Sequence, residues 1–194
     1  MKKLLSLLLV CVLAVGLIGC GSAAETAKVP VSPQSGHKTL IVYFSYTGNT
    51  RALAAKIHDR IGGDMTELEL KEPYSTEYKR VEQQGKEEVE QGFMPELAGH
   101  IEDFGQYDTI VVGTPVWWYH MTPAVASFLN QYDFTGKTVL PFVTHGGWPG
   151  TAAEDIAKAA KGAHTGPALV VKGQDVSRSD GQIDDWLTSA GLMK

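Results

Sequence analysis

The sequence predicts an α/β domain in which helices cover both faces of a parallel β-sheet. From Thr39 to the end of the chain, short apolar runs rich in β-branched and aromatic residues alternate with stretches of helical periodicity. Such alternation is typical of strand–helix–strand units, whose right-handed crossovers make neighbouring strands parallel. The chain has 194 residues, which is enough for one domain of this kind with a buried core.

Five strands are expected. The first, from Thr39 to Phe44, is a continuous apolar run and should be fully buried. The second, over 65–70, alternates as Met-Thr-Glu-Leu-Glu-Leu and fits a position near an edge of the sheet. The other three are expected over 109–113, 137–144 and 168–171.

Four helices are expected to follow strands. Leu53, Ile57 and Ile61 recur four residues apart, which predicts a helix that begins at about Thr50. The other three are expected to begin at Pro123, to span 152–160 and to include 183–187.

The stretch 71–106 departs from this rhythm because it carries mixed charge and few apolar residues. A solvated helix over part of 76–91 is expected there, with Tyr78, Val81 and Val89 as its few anchors.

Residues 1–19 differ in composition from the rest of the chain. Two lysines precede an apolar run over 4–18, which is shorter than the about 20 residues of a transmembrane helix and is typical of a secretory signal. Leu17-Ile18-Gly19-Cys20 resembles a bacterial lipoprotein box, which implies that Cys20 is lipidated and begins the mature chain. An ordinary signal peptide with a buried cysteine, or a single N-terminal membrane anchor, are the alternatives.

The mature chain would then consist of two parts. Residues 20–38, rich in Ser, Ala, Pro and Gly, are interpreted as the lipidated cysteine and a flexible tether. Residues 39–194 form the α/β domain. The expected location is the outer face of a bacterial cell membrane, held by the lipid alone.

Charge and cysteine content exclude several functions. Acidic residues outnumber basic ones by 22 to 17, which argues against nucleic acid as a partner. Cys11 and Cys20 are the only cysteines, so the mature domain offers no thiol, disulfide or cysteine metal site. The six histidines are scattered, and no metal site and no catalytic residue are assigned. His120 and His145 are interpreted as loop hydrogen-bonding residues, with a role in proton transfer as the alternative.

A polar segment between the first strand and the first helix is the strongest candidate binding site: Ser45, Tyr46, Thr47, Gly48, Asn49 and Thr50. Ligands of open α/β sheets lie beyond the carboxyl ends of the strands, where free N–H groups and the helix dipole favour an anion. Hydroxyl and amide groups around a glycine could enclose a phosphate there without Lys or Arg. The alternative is a polar turn that caps the helix.

Two later loops are candidates for binding a planar group. The first follows the third strand and contains Thr114, Pro115, Val116, Trp117, Trp118 and Tyr119. Three successive aromatics cannot all be buried on one face, so at least one should be exposed and could stack on a planar ligand. The alternative is that these aromatics form a packing or partner-binding patch. The second follows the fourth strand and contains His145, Gly146 and Gly147. Its glycines would let backbone amides approach a ligand, unless they form a simple turn.

Taken together, these loops resemble those of the flavodoxin family, whose phosphate loop reads Ser/Thr-x-Thr-Gly-x-Thr. The resemblance covers nearly the whole domain and is closest to members with Pro-Val-Trp-Trp in the second loop and Thr-x-Gly-Gly in the third. It implies a flavodoxin-like three-layer sandwich with five strands in the order 2-1-3-4-5 and one bound FMN. Residues 45–50 would hold the phosphate, and residues 114–119 and 145–147 would hold the ring.

Two departures from that pattern bear on the chemistry. Tyr119 stands where Gly is expected, and Trp148 where Ser is expected. In one-electron flavodoxins a peptide of this loop often turns toward flavin N5 and stabilises the semiquinone, and a glycine eases that turn. Residues 114–122 contain no glycine, and a positive φ is disfavoured for an L-residue. The resemblance therefore implies a less favoured semiquinone, which favours two-electron over one-electron chemistry.

The expected function is electron transfer to a redox partner protein or to a small quinone-like acceptor. The alternatives are an FMN-dependent NAD(P)H:quinone-type oxidoreductase and a flavin-free binding lipoprotein.

Overall fold

The computed structural model describes residues 38–194. The predicted signal peptide, Cys20 and all of the predicted tether except Lys38 lie outside these residues. None of the helices between residues 38 and 194 combines the length and the hydrophobicity that a membrane span requires.

Six strands, five α-helices and two short 3₁₀ helices, Phe104–Gln106 and Gly173–Arg178, make up this part of the chain. The strands are β1 (Thr39–Tyr43), β2 (Asp64–Glu67), β3 (Thr109–Pro115), β4 (Thr138–His145), β5 (His164–Thr165) and β6 (Leu169–Lys172). The helices are α1 (Asn49–Ile61), α2 (Tyr78–Gln91), α3 (Pro123–Gln131), α4 (Ala152–Ala159) and α5 (Asp180–Ser189).

All strand pairs in the sheet are parallel, in the order β2-β1-β3-β4-β5, and β6 also pairs with β4. Side chains alternate between its two faces. Leu40 and Val42 of β1 join a core with α3, whereas Ile41 joins a second core with α1 and α5. Helices therefore cover both faces, and the predicted flavodoxin-like three-layer sandwich and its strand order are confirmed.

The fifth position of the sheet holds two short strands instead of the single predicted one. Both β5 and β6 pair with β4, and residues 166–168 separate them. Gly166 N–H still donates to the Val139 carbonyl at 2.9 Å, but Pro167 has no N–H to donate. Regular pairing is therefore interrupted at this point.

Two details of the segment after β1 differ from expectation. β2 ends at Glu67, although Leu68 and Leu70 beyond it are buried. The prediction that Tyr78 anchors α2 is wrong, because its side chain is 63% exposed. Val81 is buried and Val89 is half-buried, and the remaining buried positions of α2 are Gly85 and Glu88.

Glycine at 113 lets the two central strands pack closely. Gly113 of β3 pairs with Phe142 of β4, and a Cβ at 113 would lie 2.0 Å from the Phe142 ring. The fully buried Phe142 ring thus occupies the space above the glycine, where burial of such a side chain contributes about 1.5–3 kcal/mol.

Candidate functional site

The carboxyl ends of β1, β3 and β4 bring together the three loops predicted to bind ligand. The Thr50 and Thr144 hydroxyls lie 2.8 Å apart, which joins the start of α1 to the end of β4. Val116 N–H donates to the Thr144 carbonyl at 2.9 Å, which joins the loop after β3 to the same strand. The predicted loops therefore form one surface at this edge of the sheet.

The segment 45–50 leaves the front of α1 open. Gly48 has φ +90°, a left-handed conformation that suits glycine, and a Cβ there would lie 3.9 Å from Arg51 Nη1. No side chain caps α1 at this residue, and its first turn carries no acidic residue. Apart from Arg51 N–H, which donates to Ser45 Oγ, the N-terminal N–H groups and the helix dipole therefore remain available to an anion.

The polar side chains of this segment differ in their hydrogen bonds. Ser45 Oγ accepts a hydrogen bond from Arg51 N–H at 3.2 Å and keeps its own proton to donate. Asn49 Nδ2 donates to Thr47 Oγ1 at 3.3 Å, with Gly173 packed against the same amide. The Thr50 hydroxyl is buried beneath the loop against Thr144. The hydroxyls of Ser45 and Thr47 are thus the better placed donors.

The nearest cation is already paired. Arg51 donates through Nε and Nη2 to the carboxylate of Glu67, at 2.7 and 2.6 Å. The hydrogen bonds to the Glu67 carboxylate raise the pKa of the Arg51 guanidinium above its usual value. Because this bidentate pair occupies the fork of the guanidinium, an anion at α1 depends on backbone and hydroxyl donors.

A cleft of about 360 Å³ adjoins this loop, within the size range of small-molecule sites. Aromatic side chains dominate its walls. The lining residues are Tyr46, Tyr78, Val81, Glu82, Gly85, Val116, Trp117, Trp118, Tyr119 and Trp148. The expectation that at least one of three successive aromatics is exposed is confirmed, since Trp118 is 41% and Tyr119 60% exposed.

Trp117 forms a fixed wall of the cleft. Its ring packs edge-on against Tyr74, Phe44 and Tyr46, with centroids 4.9, 5.8 and 6.1 Å away. The Tyr74 hydroxyl donates to Glu88 Oε2 at 2.6 Å, and burial together with this bond raises the pKa of the tyrosine well above its usual range. These contacts attach α2 to the indole.

Trp118 and Tyr119 both have positive φ, 47° and 70°, in a tight turn between Trp117 and His120. The two flanking residues exchange backbone hydrogen bonds of 3.0 and 2.9 Å. Two non-glycine residues of this loop therefore adopt left-handed backbone, and the preference for two-electron chemistry stays a prediction. Trp118 is also held by its side chain, whose indole N–H donates to the Glu82 carbonyl at 2.9 Å.

The last residue of β4, His145, has one side-chain nitrogen without a hydrogen-bond partner among the described residues. This atom, Nδ1, is buried. Burial and the nearby charge of Lys172 lower the pKa of this imidazole below 6.5. Gly146 and Gly147 are exposed and have open space around them, and Trp148 is 69% exposed.

Several predicted ligand-binding residues do not face the cleft. Thr114 is fully buried, and its hydroxyl donates to the Pro115 carbonyl at 2.9 Å and accepts from Thr122 N–H at 3.0 Å. His145, Gly146 and Gly147 lie outside the lining of the cleft, beside its Trp148 wall. For all these residues the binding role stays a prediction. No group of three or more His, Cys, Asp or Glu side chains within 38–194 is arranged to hold a metal ion.

Sequence reasoning missed the wall that α2 contributes. Tyr78, Val81, Glu82 and Gly85 line the cleft and recur at the i, i+3, i+4, i+7 spacing of one helical face. That spacing is the available signal in the sequence, whereas the prediction takes Tyr78, Val81 and Val89 as the anchors of the helix. Trp148 was noted as a departure without being assigned to the site.

Comparisons with known proteins agree with this architecture. A flavodoxin family profile matches residues 38–189, which is most of the chain. A search of curated proteins gives no match.

Three solved structures are similar to this chain. A provisionally assigned flavoprotein from Bacteroides uniformis is 26% identical, with a TM-score of 0.69 over 79% of this chain and 99% of its own. Another from Bacteroides eggerthii is 25% identical, with a TM-score of 0.64 over 76% and 98%. A flavoprotein from Lactobacillus acidophilus, in complex with FMN, shares the fold at 24% identity, with a TM-score of 0.63 over 78% and 99%. By the profile match and this shared architecture, the chain belongs to the flavodoxin family.

Proposed function

We propose that this protein binds one FMN at the carboxyl edge of its sheet and transfers electrons through it. One observation carries the proposal: an uncapped helix start with a left-handed glycine lies next to an aromatic cleft. An anion site beside an aromatic cleft matches the two ends of FMN, a phosphate and a planar ring. The Lactobacillus acidophilus relative, a complex with FMN, has the same fold.

The phosphate end would be held at the start of α1. Backbone N–H groups there point out of the helix, and the hydroxyls of Ser45 and Thr47 lie beside them. The first turn of α1 carries no carboxylate to oppose a phosphate, and the Glu67 carboxylate is paired with Arg51. Neutral donors and a helix dipole suffice for a dianion in many phosphate sites.

The ring end would be held by the aromatic turn and by the loop after β4. Trp118, Tyr119 and Trp148 expose flat surfaces suited to stacking. Gly146 and Gly147, which are exposed and have open space around them, offer backbone amides for a ring edge. When bound, FMN supplies the redox chemistry, and the protein supplies binding, orientation and electrostatics.

The charge of the protein bears on the redox potential. The chain has a net charge of −5, and apolar aromatic surfaces line the cleft. Both disfavour the extra negative charge of a reduced flavin, so the reduced protein should be a strong reductant.

A second candidate is an FMN-dependent reductase of quinone-type acceptors. Tyr78 and Trp148 come from two different elements, are 63% and 69% exposed and both line the cleft. They would offer a stacking surface to a second planar molecule. Electron transfer to a protein partner remains the first proposal, because no nicotinamide-binding motif is present in the sequence.

The proposed location is the outer face of a bacterial membrane, reached through lipidation of Cys20. A lipid anchor would raise the effective concentration of the protein near a membrane-associated redox partner. Membrane fractionation of the full chain and of Cys20→Ser tests this. Wild type should remain with the membrane while the variant is released, and equal release of both contradicts the anchor.

The full chain, purified in mild detergent, tests the function. Its visible spectrum should show bound flavin, or develop it after addition of FMN. A colourless protein that takes up no FMN contradicts FMN binding. Steady oxidation of NADH in the presence of a quinone would favour the reductase. Electron exchange with protein partners alone would favour the first proposal, electron transfer to a redox partner protein.

A further inference from the structure

The turn at Trp118 and Tyr119 is held in a conformation that its own residues disfavour. A non-glycine residue in left-handed backbone is disfavoured, because its Cβ lies too close to the following carbonyl oxygen. Two occur in succession here, at a wall of the cleft. Such strain persists only where the surrounding structure fixes it.

The loop after β4 supplies the first restraint. Thr151 N–H donates to the Tyr119 carbonyl at 2.7 Å. Gly150, with φ +57°, lies so close that a Cβ there would be 1.9 Å from the Tyr119 oxygen. The orientation of the Tyr119 peptide is thus set by a glycine and by a hydrogen bond from the next loop.

Asp155, in the first turn of α4, supplies the second restraint. Its Oδ2 lies 2.9 Å from His120 Nδ1 and accepts from Met121 N–H at 3.3 Å. The Thr151 hydroxyl lies 3.2 Å from each of the two carboxylate oxygens. One carboxylate therefore contacts the residues that follow the strained turn and the residue that holds the Tyr119 carbonyl. Its negative charge is also favoured near the start of a helix.

We propose that Asp155 is a positioning residue for the ring end of the site. It fixes the positions of the loops after β3 and β4 relative to each other, and so keeps Trp118 and Tyr119 in place before a ligand binds. This inference rests on the proposed FMN binding, although the preformed turn exists independently of it. Asp155 lies outside the lining of the cleft and outside all three predicted binding loops.

The position of Asp155 predicts a selective effect. The hydrogen bonds of the Asp155 carboxylate reach the loops at the ring end, whereas the proposed phosphate site lies at the start of α1. Loss of the carboxylate should therefore weaken FMN and riboflavin, which lacks the phosphate, by the same factor. A variant that merely lost stability would bind both flavins normally once folded.

Asp155→Ala and the milder Asp155→Asn test the proposal in the full chain, with Glu154→Ala as the control. Glu154 is an exposed acid in the same helical turn. Without flavin, amide hydrogen exchange at His120 and Thr151, whose amides are hydrogen-bonded at the turn, should be about tenfold faster in Asp155→Ala, and intermediate in Asp155→Asn. With flavin, both Kd values should rise about tenfold, and the midpoint potential and visible circular dichroism should shift.

Unchanged amide exchange in Asp155→Ala, or FMN affinity and potential equal to those of Glu154→Ala, would overturn the proposal. A larger loss for FMN than for riboflavin would also overturn it, because the carboxylate would then act at the phosphate end. If wild type binds neither flavin, the proposed function fails, while the exchange measurement still decides whether Asp155 holds the turn.

Discussion

Gly85 of α2 lies directly against the indole of Trp117. A Cβ at Gly85 would be 2.8 Å from Cε3 of that ring, closer than such contacts allow. The indole is itself wedged between Phe44, Tyr46 and Tyr74, so it has little room to retreat. The absence of one side chain on α2 thus sets the position of a wall of the proposed ring site.

Gly85→Ala should therefore lower both stability and FMN affinity. Glycine to alanine inside a helix ordinarily stabilises by roughly 1 kcal/mol, but overpacking against a fixed ring costs roughly 1–3 kcal/mol. Urea unfolding and FMN titration of the variant measure the two effects. Gly181→Ala in α5, where a Cβ meets nothing within 4 Å, is the matched control and should be neutral or stabilising. A Gly85→Ala protein as stable as the control would show that the indole moves freely.

The ion pair of Arg51 and Glu67 should contribute little to FMN binding. Replacing both residues by glutamine removes both charges together, and the Kd for FMN should stay within about threefold of wild type. Arg51→Gln alone should weaken FMN more, because it leaves the Glu67 carboxylate unpaired beside the phosphate site. If the double variant loses FMN about tenfold or more while its riboflavin affinity is unchanged, the guanidinium holds the phosphate after all.

Loss of the Thr144 hydroxyl should destabilise the fold. Thr50 and Thr144 form a buried hydroxyl pair, so Thr144→Val leaves the Thr50 hydroxyl without its partner, at a cost of about 1–3 kcal/mol. Replacing both by valine should recover part of this cost, because no unpaired hydroxyl then remains. Thr165→Val, at an exposed edge position, is the control. Additive losses in the double variant, measured by chemical unfolding, would argue against the pair.

His145 should make stability fall on acidification. Burial holds the pKa of the folded imidazole below 6.5, so below that pH the unfolded chain binds the proton more readily than the folded chain does. The free energy of unfolding should therefore decrease as pH falls below 6.5, and level off below the pKa of the folded state. His145→Gln should show a flatter profile, whereas His164→Gln, an exposed substitution, should follow wild type. Parallel profiles for wild type and His145→Gln would contradict the burial effect.

The sequence allowed the fold to be predicted because periodicity reports burial. Leu53 and Ile57 lie where their spacing places them, on the buried face of α1, and the apolar run from Thr39 forms a strand buried on both faces. The division of the fifth strand was not foreseen. It follows from Pro167, which has no N–H to donate, while the short strands on either side each keep their own pairing with β4.

The candidate site was predicted only in part, for a related reason. Motifs identify residues in the loops that they occupy, and the segment 45–50 is placed as expected. They do not report contacts between loops, such as Thr151 with Tyr119. Those contacts hold Trp118 and Tyr119 in left-handed backbone, which local preference alone argues against.

The affinities of the full chain for FMN and riboflavin, measured side by side with Ser45→Ala/Thr47→Ala, test the central claim most directly. If the uncapped start of α1 binds the phosphate, wild type should prefer FMN by about a hundredfold, since hydrogen bonds to a charged group contribute about 1.5–3 kcal/mol each. The double variant should lose much of this preference while its affinity for riboflavin stays unchanged. Equal affinities of wild type for FMN and riboflavin, or no binding of either, would contradict the account.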